Sequence, residues 1–131
     1  MTSELTALAL AGLVQVAQLA LMAVAANRQL GAEKTTGPRD EPLFLTGAAG
    51  RLKRAMENHF EGLILFTIAV VAVTLGGAGT GFTAGCAWVY LAARILYVPA
   101  YVSGVPYLRS AIWGIGFGAT ALMLIAALIH G

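Results

Sequence analysis

The chain has 131 residues, of which 59% are hydrophobic and 11% charged, with a formal net charge of +2 and a mean hydropathy of +0.81. Soluble domains carry about 25% charged residues, so this chain lacks the polar surface to coat a soluble core and reads as an integral membrane protein. So small a positive charge gives no basis for binding nucleic acid, and the single cysteine, Cys86, excludes an internal disulfide and a cysteine metal cluster.

In chain order, Leu5 to Ala26 is free of charge and long enough for one crossing of a ~30 Å hydrocarbon layer. No basic segment precedes it and it exceeds the apolar core of a cleavable signal, so it is a retained first helix. Gly62 to Ala93 is also uncharged, too long for one helix and too short for two. The cluster Gly76-Gly77-Ala78-Gly79-Thr80-Gly81 divides it, because consecutive glycines end helices. Each half must borrow residues from its polar side, which carries Glu61 and Arg94 to membrane depth. A fourth span runs from Ser110 to Ile129. The predicted fold class is therefore all-α, an integral membrane four-helix bundle in one domain over 1–131. Its helices are expected at about 4–27, 53–76, 82–102 and 110–130, with a loop over about 28–52.

Residues 28–54 hold Arg28, Lys34, Arg39, Arg51, Lys53 and Arg54 against Glu33, Asp40 and Glu41. The positive-inside rule puts this loop and the third connection, which carries Arg109, in the cytoplasm, with both termini outside. Cys86 is expected to be a packing residue. Gly114 and Gly118 suit close helix packing, within the bundle or between subunits. Trp88, Trp113 and the tyrosines suit interface levels, although Tyr97 and Tyr101 have a better-motivated role in a polar stripe with Arg94.

Ionised groups within a span cost about 2.5 to 3.5 kcal/mol even on lenient scales, so they normally face a partner, a wet cavity or a ligand. Arg51, Arg54, Asn58 and Glu61 follow one another at spacings of three and four, which stacks them on one helix face. Arg94, Tyr97 and Tyr101 share a face of the next helix. Two such stripes, at the same end of the bundle, belong against each other. Together they offer guanidinium groups for carboxylates, a carboxylate for an ammonium, an amide and two phenols. That inventory suits a zwitterionic, peptide-like ligand. The alternative is a structural Glu61–Arg94 ion pair, for which Arg51, Arg54 and Asn58 would be superfluous. His59 lies off this face and, like His130, reads as interfacial. Glu57 reads as a helix-surface residue.

The run Arg54-Ala55-Met56-Glu57-Asn58-His59-Phe60-Glu61 resembles the Arg-Ala-x-x-Asn-x-x-Glu signature of the MAPEG family, membrane-associated proteins in eicosanoid and glutathione metabolism. Arg94-Ile95-Leu96-Tyr97-Val98-Pro99-Ala100-Tyr101 is similar to that family's Arg-x-x-Tyr-x-x-x-Tyr. Pro106-Tyr107-Leu108-Arg109-Ser110 resembles its Pro-x-x-Arg-Ser segment. The resemblance implies a homotrimer with glutathione as co-substrate, bound between subunits near the cytoplasmic face. Arg54, Asn58, Glu61, Arg94, Tyr97 and Tyr101 would hold the tripeptide, with Arg51 on the same stripe and Arg28 as a further anchor. Arg109 would stabilise the thiolate. Met56 and Gly62 depart from the pattern: relatives often show His or Gln, and Asn or Tyr, at these positions, so each removes one possible hydrogen bond to the ligand.

The resemblance implies a membrane-bound glutathione-dependent transferase or peroxidase acting on lipophilic electrophiles, needing no metal. Its partners would be itself, membrane lipid and a lipophilic small molecule, with no nucleic acid. A second possibility is a non-catalytic protein of the same fold that binds a lipid or a protein. A third is a small proton-coupled exporter, which normally needs a carboxylate in its first span. That span holds only Gln15 and Gln18, and Glu61, near Arg54 and Arg94, suits a fixed counter-ion better than a proton carrier.

Overall fold

The computed structural model describes residues 1–31, 37 and 45–130, and places in them four helices: α1 (Ser3–Leu30), α2 (Gly47–Leu75), α3 (Gly81–Ser103) and α4 (Pro106–His130). Each is long and apolar enough to cross a membrane. The chain is an all-α, four-helix, multi-pass membrane bundle.

Local signals set the helix ends. Thr2 opens α1, its hydroxyl accepting the Leu5 N–H at 3.2 Å. Thr80 opens α3 through a reciprocal cap with Thr83, directly after the glycine cluster that ends α2 at Leu75. Two helices start earlier than the charge pattern implies. The α2 helix begins at Gly47 rather than near 53, because the Gln29 side chain brackets Thr46. Its Oε1 accepts the Thr46 N–H at 2.7 Å and its Nε2 donates to the Thr46 carbonyl at 3.1 Å. The α4 helix begins at Pro106 rather than near 110, since proline suits the first helical position; Arg109 thus sits in its first turn. The loop expected over 28–52 is correspondingly shorter, and Lys34 and Arg39 lie outside the described residues.

The α1 helix packs on α2 and α3, and α4 packs on the other side of the same pair; α1 and α4 share no packed face among the described residues. The core is small and apolar: Ala7 and Ala11 of α1 meet Phe66, Ala69, Val70 and Val73 of α2. Cys86, Ala87 and Leu91 of α3 and Met123 of α4 complete it. Small residues on α1 let the backbones approach closely, which is how packing stabilises helices in lipid. Cys86 is a buried free thiol in this core, as expected. Of the two packing roles expected for Gly114 and Gly118, the one within the bundle does not occur. A Cβ at either would meet nothing within 4 Å, so they are not packed inside the protomer. With Gly81 and Gly85 they line an apolar groove of about 490 Å³ between α3 and α4.

At the glycine-turn end, Glu4 is buried and its Oε1 accepts a hydrogen bond from Thr83 Oγ1 at 2.8 Å. One threonine therefore both caps α3 and satisfies a carboxylate from α1. Thr83→Val should lower stability by about 2 kcal/mol, while Thr83→Ser should retain most of it. The midpoint of denaturant unfolding in detergent measures both.

Candidate functional site

Arg94 is the residue around which the site is built. It lies about 20 Å along α3 from Gly81, within a helix long enough to cross a ~30 Å hydrocarbon layer. Only 3% of it is exposed. A guanidinium there must find acceptors inside the protein. It donates from Nε to His59 Nδ1 at 3.1 Å and from Nη1 to Asn58 Oδ1 at 3.0 Å. Its plane also lies 4.4 Å from the Tyr97 ring centroid, within cation–π range.

His59 is fully buried and passes this interaction on, its Nε2 lying 3.0 Å from the Ala11 carbonyl of α1. A guanidinium only donates, so Nδ1 accepts and the ring proton sits on Nε2, facing that carbonyl. One turn further along α1, Gln15 Nε2 donates to the Met56 carbonyl at 3.3 Å, and Gln18 Nε2 donates to Gln15 Oε1 at 3.2 Å. A buried polar chain thus ties α1 to the back of the residues that present Arg94.

The front of the same α2–α3 pair opens toward α4. Arg51, Arg54, Tyr101, Gly104 and Arg109 surround a cavity of about 220 Å³. Asn58, Tyr97, Arg109, Ser110 and Trp113 line a second, of about 210 Å³. Deeper in the bundle, Asn58, Glu61, Gly62, Tyr90, Arg94 and Thr120 are among the residues around a third, of about 110 Å³. Tyr101 organises the outer cavity: the Arg109 guanidinium is 4.7 Å and that of Arg54 6.0 Å from its ring centroid. Tyr97 meets it edge to face at 5.6 Å. Arg51 Nη1 donates to the Val102 carbonyl at 3.2 Å, closing the α3 C-terminus. Gly104 there has φ +81°, and a Cβ on it would press on the Arg51 guanidinium carbon at 3.3 Å.

Arg51, Arg54, Asn58, Glu61, Arg94, Tyr97, Tyr101 and Arg109 therefore all border one continuous seam between α2, α3 and α4. Arg28 does not. It is exposed at the end of α1, on the opposite side of the α2–α3 pair, and lines none of these cavities. The Glu61–Arg94 ion pair also does not form: among the described residues the one salt bridge is Lys53–Glu57 at 3.8 Å. Glu61 is left exposed on the protomer, beside the seam, while neutral acceptors surround Arg94.

Three readings of single residues change. His59 is not interfacial but the central strut, because its own helix face turns toward α1 and α3 together. Met56 is buried and borders none of the seam cavities, so a polar side chain there would not reach the seam. Tyr90, which no motif marks, lies under the seam, stacked on Phe66 with ring centroids 3.9 Å apart. Its spacing of four from Arg94 was the available signal, since i and i+4 share a helix face.

Cutting the strut should cost more than removing the free carboxylate. His59→Leu should destabilise the bundle by about 2–3 kcal/mol by orphaning a buried guanidinium nitrogen, whereas Glu61→Gln should change stability by less than about 0.5 kcal/mol. Equal losses in detergent unfolding would restore the ion-pair reading.

The sequence model of the MAPEG family matches residues 4–129. A search of curated proteins finds no match.

Proposed function

This chain belongs to the MAPEG family, and we propose that it is a membrane-bound glutathione-dependent transferase or peroxidase acting on lipophilic electrophiles. The observation that carries this reading is the seam: three arginines converge on one cavity around Tyr101, with the Glu61 carboxylate on the same side. A tripeptide with two carboxylates, an ammonium and a thiol matches that set of groups.

Arg54, Asn58, Glu61, Arg94, Tyr97 and Tyr101 hold the peptide, and Arg109 faces the sulfur. Arg51 acts first as the clamp on the α3 C-terminus and second as a charge beside the peptide. A free thiol has a pKa near ~8.5, so most of it is protonated at neutral pH; a guanidinium beside it favours the thiolate, which is the nucleophile. The sulfur electron pair then forms the new bond. In conjugation that bond is to carbon, and the displaced or added electron density leaves with a group or takes up a proton. In peroxide reduction the sulfur takes one oxygen as the O–O bond breaks, the other oxygen leaves as an alkoxide that is protonated to the alcohol, and a second glutathione condenses with the resulting sulfenic acid to give a disulfide and water. Arg109 stabilises the negative charge that grows on the departing atom. The apolar co-substrate arrives from the bilayer.

Glu61 and Arg54, exposed on a protomer at or near membrane depth, support assembly: bare charges facing lipid are costly. A homotrimer covers them and places the ligand between subunits. There Arg28, remote from the seam of its own chain, meets a neighbour's seam. The basic first connection and Arg109 favour a cytoplasmic location for this end, with both termini outside and the protein in an inner membrane.

Glutathione binding to detergent-purified protein, with thiolate formation followed by its ultraviolet absorbance, tests this directly. Arg109→Ala should abolish the thiolate signal while the peptide still binds. Arg54→Ala and Glu61→Gln should each weaken binding by one to two decades. Identical thiolate signals from wild type and Arg109→Ala would overturn the mechanism; no glutathione binding would leave a non-catalytic, lipid- or partner-binding member of the family.

A further inference from the structure

Two side-chain donors at the bottom of the seam have no partner among the described residues: the Tyr90 hydroxyl and Arg94 Nη2. Both residues are nearly inaccessible, at 2% and 3% exposure, and both line the inner cavity of about 110 Å³. Every other donor of Arg94 that is buried points at Asn58 or His59. Leaving a buried donor unpaired costs about 1–3 kcal/mol, and within a membrane span bulk water does not relieve it.

The Tyr90 hydroxyl is held there by construction. Its ring is stacked on Phe66 with an interplanar angle of 13°. Gly62 makes room for it: a Cβ at Gly62 would lie 3.2 Å from the hydroxyl and 3.9 Å from Arg94 Nη1. Where a side chain on α2 would otherwise fill the cavity, this chain has a glycine and brings a phenol from α3 instead. The same cavity is bordered by the Glu61 carboxylate. Its chemistry is thus mixed: two free donors at the base and one acceptor with negative charge at the rim. The outer cavity, lined by Arg51, Arg54 and Arg109, carries positive charge alone.

We infer that Tyr90, admitted by Gly62, is a ligand-binding and specificity-determining residue: with Arg94 Nη2 it takes the α-carboxylate of the peptide's amino-acid end, whose ammonium faces Glu61. This rests on the reading of the seam as a glutathione site and assigns the peptide's direction in it. The zwitterionic γ-glutamyl head enters the mixed inner cavity, and the glycine carboxylate, a plain anion, lies by Arg51 and Arg54, which leaves Arg109 to the sulfur.

The test is calorimetric titration of purified wild type, Tyr90→Phe and Gly62→Ala with three peptides. These are glutathione, 4-aminobutyryl-cysteinyl-glycine, which lacks only the α-carboxylate, and γ-glutamylcysteine, which lacks the glycine. Tyr90→Phe should bind glutathione and γ-glutamylcysteine about tenfold more weakly than wild type, and should bind the decarboxylated peptide equally. Its melting temperature should hold or rise, because the hydroxyl pairs with nothing among the described residues; a purely structural tyrosine would lower it. Gly62→Ala, which displaces the hydroxyl, should reproduce the same pattern of affinities and serves if Tyr90→Phe does not fold. Wild-type binding with no loss in either variant overturns the inference and leaves the proposed function standing. Persistence of the Tyr90 effect with the decarboxylated peptide assigns the wrong end and also overturns it. Wild type that takes no glutathione removes both.

Discussion

A guanidinium inside a membrane span constrains this molecule more than any other group. Its hydration is lost on insertion, and lipid offers nothing in exchange. Arg94 is kept by neutral acceptors rather than by a carboxylate. His59 and Asn58 take two of its donors and Tyr97 covers its face. Adjacent residues on α2 thereby fix the axial register of α2 against α3. Because His59 also reaches the Ala11 carbonyl, the register of α1 is set by the same group. A shift of either helix by one residue would strand the charge.

This arrangement divides the bundle into two sides with different roles. On the α1 side the polar groups are buried and mostly satisfied by each other, through Gln15, Gln18, His59 and the Ala11 and Met56 carbonyls. The contacts around them are alanines, so the helices lie close and the hydrogen bonds are short-range struts. On the α4 side the polar groups border cavities, and two, the Tyr90 hydroxyl and Arg94 Nη2, lack partners among the described residues. One side holds the arginine still; the other side offers it. Keeping the Glu61 carboxylate out of contact with Arg94 follows the same logic. A closed ion pair would neutralise both groups, whereas on the proposed reading separated charges remain available to a zwitterionic ligand.

The clamp at the other polar end has a comparable function. Arg51 joins the first turns of α2 to the last carbonyls of α3, where a cation is favoured by the helix dipole. It sets the distance across which Arg54 and Arg109 both reach Tyr101. Assigning Arg51 to ligand binding from its helical spacing alone was therefore incomplete. Spacing reports the face on which a residue lies, not which neighbour already occupies its donors.

Much of this was legible in the sequence. Four crossings follow from uncharged length and the glycine cluster, since the cost of exposing backbone or charge to hydrocarbon leaves little freedom. The two stripes, Arg51–Arg54–Asn58–Glu61 and Arg94–Tyr97–Tyr101, follow from helical periodicity, and they do border one seam. Periodicity acts within a helix and is silent about what lies across from it. Only the tertiary packing decided that Arg94 pairs with His59 and Asn58, that Met56 turns inward, and that Arg28 faces away. It likewise put Glu4 on Thr83 and brought Tyr90 into the space above Gly62. Each of these depends on the rotation of one helix against another, and that rotation is set by which alanines and glycines allow close approach.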